Sequence, residues 1–285
     1  MPANVNKVLG HKELKQQNLY RALAAECLGT LLLNFFGVIS CVKTSPLKND
    51  LVEVSLTFGL VVFAVVQVFG HVSGAHVNPA VTVGMLATGK TPVIRGILYI
   101  IAQSVGAIIG TGLVKAVTPE SFTEVLGNTK LTAKGITTAQ GFGVEFLLGF
   151  VLVLVVFAVC DPNRPECKYA APLAIGLTVA LGHLATIDYT GSSMNPARSL
   201  GSAVLTSDFE HHWVYWLGPC AGGMAAGLLY TFVFAAPVPT QSQTTYTVVS
   251  TSDKEGVHDE AVRRLSKQML RNYRRAKSID DRIYP

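Results

Sequence analysis

Two Asn-Pro-Ala tripeptides, Asn78-Pro79-Ala80 and Asn195-Pro196-Ala197, carry the clearest chemistry in this sequence. Asn is a favoured helix cap, and Pro suits the first turn because its ring has no N–H to lose there and its φ is already helical. Each tripeptide therefore predicts a helix start with a carboxamide at its mouth, and that group offers two N–H donors and an acceptor oxygen. The approaches, Gly74-Ala75-His76 and Gly191-Ser192-Ser193, predict irregular backbone whose carbonyls accept hydrogen bonds. Residues 80–87 and 197–205 are small and apolar, enough for a helix of about 15 Å, or half of a ~30 Å hydrocarbon core. Taken alone, such tripeptides are ordinary caps in soluble loops. Paired half-length helices inside a membrane protein instead bring polar groups to the bilayer midplane. Arg198 follows the second tripeptide directly. Donors, carbonyls and one cation suit the exchange of hydrogen bonds with a small polar solute. No enzyme constellation, cofactor motif or metal-ligand spacing is visible.

The elements that must hold these groups are apolar. The chain is 49% hydrophobic and 14% charged, against about 25% charged residues in soluble domains, and its mean hydropathy is positive. Six stretches, about 20–41, 51–70, 93–116, 139–159, 169–187 and 213–235, are long enough to cross a bilayer. The half-helices fall after the second and the fifth. The halves repeat: Glu26 and Gly29 match Glu145 and Gly149, Gly59 and Asn78 match Gly176 and Asn195, and Tyr99 and Gly106 match Tyr215 and Gly222. Three spans per half is an odd number, so the second half enters from the opposite side. The expected fold is an all-α membrane protein with six transmembrane helices and two re-entrant half-helices in an inverted 3+3 repeat. Residues 1–19 form an N-terminal segment, 20–235 the membrane domain (repeats about 20–116 and 139–235) and 236–285 a tail.

Glu26 and Glu145 lie inside apolar spans, where a charge costs about 3 kcal/mol even on lenient insertion scales. Proton carriage is one reading. The favoured one is that each buried acid anchors backbone N–H groups of a re-entrant loop, because the repeat sets one Glu beside each loop. The net charge of +5 does not indicate nucleic acid, since most of the basic residues sit in the two ends. With cytoplasmic termini, seventeen Lys and Arg fall on the inner side and six on the outer, as the positive-inside rule requires, although the tail inflates that count. The plasma membrane is the default location. In the tail, 237–251 reads as a polar linker. Ala261, Leu265, Met269 and Tyr273 then recur among arginines as a basic amphipathic helix, suited to an anionic bilayer surface or a calmodulin-like partner. Arg263-Arg264-Leu265-Ser266 resembles a kinase site, which makes Ser266 a candidate phosphosite.

The inverted repeat, the two tripeptides and Arg198 together resemble the aquaporin (major intrinsic protein) family from about residue 20 to 235. The runs 73–82 (SGAHVNPAVT), 180–183 (ALGH) and 188–191 (DYTG) look like its animal water-selective branch. The resemblance implies a homotetramer with one pore per subunit and a narrow filter at Phe58, His183, Ser192 and Arg198. Glycerol channels of the family typically carry Gly in place of His183 and Asp in place of Ser199, and Ser199, Ala203, Tyr215 and Trp216 follow the water-channel pattern. Mercurial-sensitive members often have Cys at the Ser192 position, so weak mercurial block is expected. Water selectivity is the expected function. A broader urea or glycerol pore, and a junctional or scaffold protein with little flux, are the alternatives.

Overall fold

The computed structural model describes residues 8–44, 51–238 and Lys267. The basic helix and Ser266 of the tail lie outside the described residues. Among the described residues eight α-helices follow in order: α1 (Gln17–Ser40), α2 (Leu51–Ser73), α3 (Pro79–Ala87), α4 (Val93–Val117), α5 (Thr138–Val159), α6 (Ala171–Thr190), α7 (Pro196–Thr206) and α8 (Val214–Leu229), the last running on as a π-helical turn, Tyr230–Phe234. Among the described residues six helices are long and apolar enough to span a membrane. The two short ones, α3 and α7, are the half-helices. Six crossings leave the start of α1 and the end of α8 on one face, called here the terminal face.

Local sequence explains where the helices begin and end. Both half-helices start at Asn with Pro in the first turn; Asn78 Oδ1 accepts from Ala80 N–H, and Asn195 Oδ1 accepts from Ala197 and Arg198 N–H. Thr137 and Gln140 form a reciprocal capping box that opens α5. Gly191, at φ 77°, closes α6 in the left-handed region that glycine enters without strain.

The halves pack alike. α1 lies along α4, α5 along α8, and α2 crosses α6 between the two halves. At that crossing a Cβ on Gly176 would come within 2.5 Å of the Gly59 carbonyl oxygen, so backbone meets backbone. Large apolar side chains such as Leu60, Ile101, Leu181 and Leu217 point outward, as expected where the solvent is lipid and close backbone packing, rather than water exclusion, holds helices together. Buried polar residues gather inside, including Glu26, Asn34, Gln103 and Glu145. The segment between α4 and α5 folds back onto the second half-helix and the end of α6: Thr129 Oγ1 donates to Ser199 Oγ at 2.8 Å, and Thr132 N–H to the Tyr189 carbonyl at 3.0 Å.

Candidate functional site: a polar path between two half-helices

The approaches to the half-helices are strained. Gly74, Ala75 and Val77 have φ of 87°, 46° and 43°, and Gly191, Ser192 and Met194 have 77°, 51° and 54°. A β-branched Val there is a costly conformer that needs support from its surroundings. Glu26 supplies it in the first half. Its Oε1 accepts from His76 N–H at 2.9 Å and from the Ser73 hydroxyl at 2.6 Å, while Oε2 accepts from Val77 N–H at 2.6 Å and Gln103 Nε2 at 2.8 Å. Glu145 repeats the pattern in the second half: Oε1 accepts from the Thr190 hydroxyl and Ser193 N–H, and Oε2 from Met194 N–H. These bonds consume backbone donors on one side of each segment. Both acids are fully buried and fully engaged by this work.

The half-helices meet end to end. Asn78 Nδ2 donates to the Met194 carbonyl at 2.9 Å, and Asn195 Nδ2 donates to the Val77 carbonyl at 2.8 Å. Each carboxamide thus spends its oxygen on capping and one N–H on the opposite loop, which leaves its second N–H as a donor. Two positive helix ends face each other at this junction.

Of the four residues that the resemblance assigns to a filter, three share contacts directly. The Phe58 and His183 rings stack with centroids 4.3 Å apart, and the Arg198 guanidinium lies 4.8 Å from the centre of the Phe58 ring. His183 Nδ1 sits 3.0 Å from the Val179 carbonyl; a carbonyl only accepts, so Nδ1 carries the proton and Nε2 is left as a buried acceptor with no protein partner. Arg198 Nη1 donates to the Gly127 carbonyl at 2.6 Å, and its Nε has no protein partner. Ser192 pairs with Thr186, their hydroxyls 3.0 Å apart. Ser199 stands behind the second approach, its hydroxyl 2.6 Å from that of Ser193. Ala203 and Tyr215 are buried, and Trp216 Nε1 donates to His212 Nε2 at 3.1 Å.

Several contributors escape a reading of motifs. Gly127 and Thr129 reach the site through folding of the segment between α4 and α5, and no local signal marks them. Gln103 and Asn34 do leave a signal, each being an uncharged polar residue inside an otherwise apolar span.

The family model described as major intrinsic protein matches residues 13–230. The chain belongs to the major intrinsic protein family. It is therefore a multi-pass membrane channel and not an enzyme. Similar proteins include "Aquaporin-4" of Mus musculus, 44% identical over 81% of this chain and 72% of that protein, and "Aquaporin-1" of Mus musculus, 45% identical over 78% and 85%. Among solved structures, "the aquaglyceroporin from Plasmodium falciparum" superposes with a TM-score of 0.69 at 28% identity, covering 75% of this chain and 96% of that one. In this channel the path past Asn78, Asn195, His183 and Arg198 is the candidate conduit.

Proposed function

We propose that this channel passes water down an osmotic gradient and turns back glycerol, ions and protons. The observation that carries the reading is the constellation of Phe58, His183 and Arg198, in which an aromatic wall is set against one buried acceptor nitrogen and one fixed cation. A water molecule in single file loses most of its bulk hydrogen bonds. His183 Nε2 and Arg198 Nε replace some of them, carbonyls of Gly74, Ala75, His76, Gly191, Ser192 and Ser193 accept along the approaches, and the second N–H of Asn78 and of Asn195 donates at the centre. Glycerol needs a wider opening with room for its carbon backbone, and the imidazole occupies that room. A desolvated ion pays a large penalty in such a passage, and the paired helix ends with Arg198 repel cations in particular.

The supporting likeness is to proteins named aquaporins, while the fold is shared with a chain titled an aquaglyceroporin. Fold alone leaves a broader urea or glycerol pore as the rival, and filter width decides between them. The test is stopped-flow volume change of vesicles bearing the purified channel, with water, urea and glycerol compared. Fast water flux with glycerol flux at the level of protein-free vesicles is the expected result; ready glycerol passage overturns it.

In the same reading the terminal face is cytoplasmic, the membrane is the plasma membrane and the channel assembles as a homotetramer. Ser266 and the basic tail helix then serve as a kinase site and a calmodulin-like or anionic-lipid contact. Ser266→Asp is expected to change surface abundance or binding to anionic vesicles.

A further inference from the structure

Asn34 is fully buried in α1, between Leu33 and Phe35. A carboxamide within an apolar span must find partners, and this one finds two on other helices. Nδ2 donates to Thr111 Oγ1 of α4 at 3.0 Å and to the backbone carbonyl of Arg198 at 3.2 Å.

The repeat supplies an internal control. The spacing that carries Glu26 onto Glu145 carries Asn34 onto Val153, and the spacing that carries Asn78 onto Asn195 carries Val81 onto Arg198 and Gly84 onto Gly201. The contacts obey this correspondence. A Cβ on Gly84 would lie 2.9 Å from Val153 Cγ1, and a Cβ on Gly201 would lie 2.5 Å from Asn34 Nδ2. Each half-helix is thus faced at the same place by the first helix of the other half. Facing α3 that neighbour is a valine, which can only pack. Facing α7 it is an asparagine, which bonds to the backbone of the residue that bears the guanidinium.

Arg198 is therefore held at three points: Asn195 Oδ1 takes its N–H, Asn34 takes its carbonyl and Gly127 takes Nη1. None of the three is repeated at Val81: Asn78 Oδ1 accepts from Ala80 N–H instead, the residue facing α3 is Val153, and Val81 has no side-chain donor. We infer that Asn34 is a positioning residue for Arg198. It fixes the first turn of α7 against α1 and α4, and so sets where the guanidinium stands relative to Phe58 and His183, which governs solute discrimination. In a passage one small molecule wide, a displacement well under the width of that molecule changes what fits. This inference rests on the water-selective reading of the site.

The test exchanges Asn34 for the residue the other half uses. Asn34→Val, the closer isostere Asn34→Leu and Thr111→Val are purified and reconstituted beside the wild type, and water and urea permeabilities are measured per channel. The expected result is a several-fold rise in the urea-to-water permeability ratio for both Asn34 variants. Thr111→Val, which leaves the bond to the Arg198 carbonyl available, should keep the wild-type ratio. An unchanged ratio in the Asn34 variants overturns the inference, whether or not water flux or melting temperature falls, since a purely structural role lowers folded protein without altering selectivity. An equal rise in Thr111→Val, or failure of both Asn34 variants to fold, overturns it as well. Glycerol passage by the wild type would instead overturn the water-selective reading, and the ratio of variant to wild type remains measurable in that event.

Discussion

Individual side chains in this channel divide between those that face a permeant and those that keep the first group in place. His183 belongs to the first group in the proposed function, because Val179 takes the proton-bearing Nδ1 and leaves Nε2 for a solute. His183→Gly is expected to retain water flux and raise glycerol flux several-fold in vesicle shrinkage assays. Glu145 belongs to the second. Glu145→Ala would orphan the buried N–H groups of Ser193 and Met194, at about 1–3 kcal/mol each, and should lower the melting temperature of the detergent-solubilised protein before it alters any pH dependence of flux. A proton-carrying Glu would show the opposite order. Cys41 modifies the expectation about thiol reagents. No cysteine replaces Ser192, yet a Cβ on Gly127 would lie 3.4 Å from Cys41 Sγ, and the Gly127 carbonyl holds Arg198. Whatever mercurial inhibition occurs should disappear in Cys41→Ser and persist in Cys220→Ala, measured as water permeability before and after the reagent.

Among the elements, the segment after α5 acts as a tie at the terminal face. Asp161 Oδ2 accepts from the Tyr230 hydroxyl and from Ala236 N–H, both at 2.9 Å, while Asn163 Nδ2 donates to the Ala236 carbonyl. Burial pushes the Asp161 carboxyl up, but the bonds from Ala236, Asn163 and Tyr230 and the charge of Lys90 outweigh it and hold the group below its ordinary value. A depressed acid contributes stability above its unfolded pKa and loses it as pH falls through the folded value. The tie should therefore be intact at neutral and mildly acidic pH and weaken only below about pH 4. Asp161→Ala is expected to make the chain near Ala236 more open to protease at pH 7 without changing the urea-to-water ratio, as seen by the cleavage rate of reconstituted protein. The tie also marks where the channel ends. Truncation after Ala236 keeps the N–H that Asp161 needs and should leave water permeability per channel unchanged; truncation after Ala235 removes it and should lower the melting temperature.

For the molecule as a whole, the inverted repeat gives two similar halves, and function arises where they differ. Symmetry accounts for the paired glutamates, the crossed asparagines and the opposed helix ends. In the proposed function, discrimination depends on Arg198 in place of Val81 and Asn34 in place of Val153, and on a segment, 118–137, that folds over one half-helix. A channel with Val81 and Arg198 exchanged should lose its discrimination between urea and water even if it still folds, a result readable in the same vesicle assay.

The six spans, the half-helices and the pairing of Glu26 with Glu145 could be read directly from the sequence, because lipid demands long apolar helices and penalises every charge within them, so departures from apolarity stand out. The inverted relation followed from counting spans, and the Asn-Pro-Ala caps are local chemistry written in three adjacent residues. Gly127 as the acceptor for Arg198, Thr129 as the donor to Ser199, and Asn34 as the donor to a carbonyl on α7 could not be read that way. Each joins residues far apart in the chain, and a backbone carbonyl carries no side-chain signature, so only the folded arrangement of helices decided which donor each one meets.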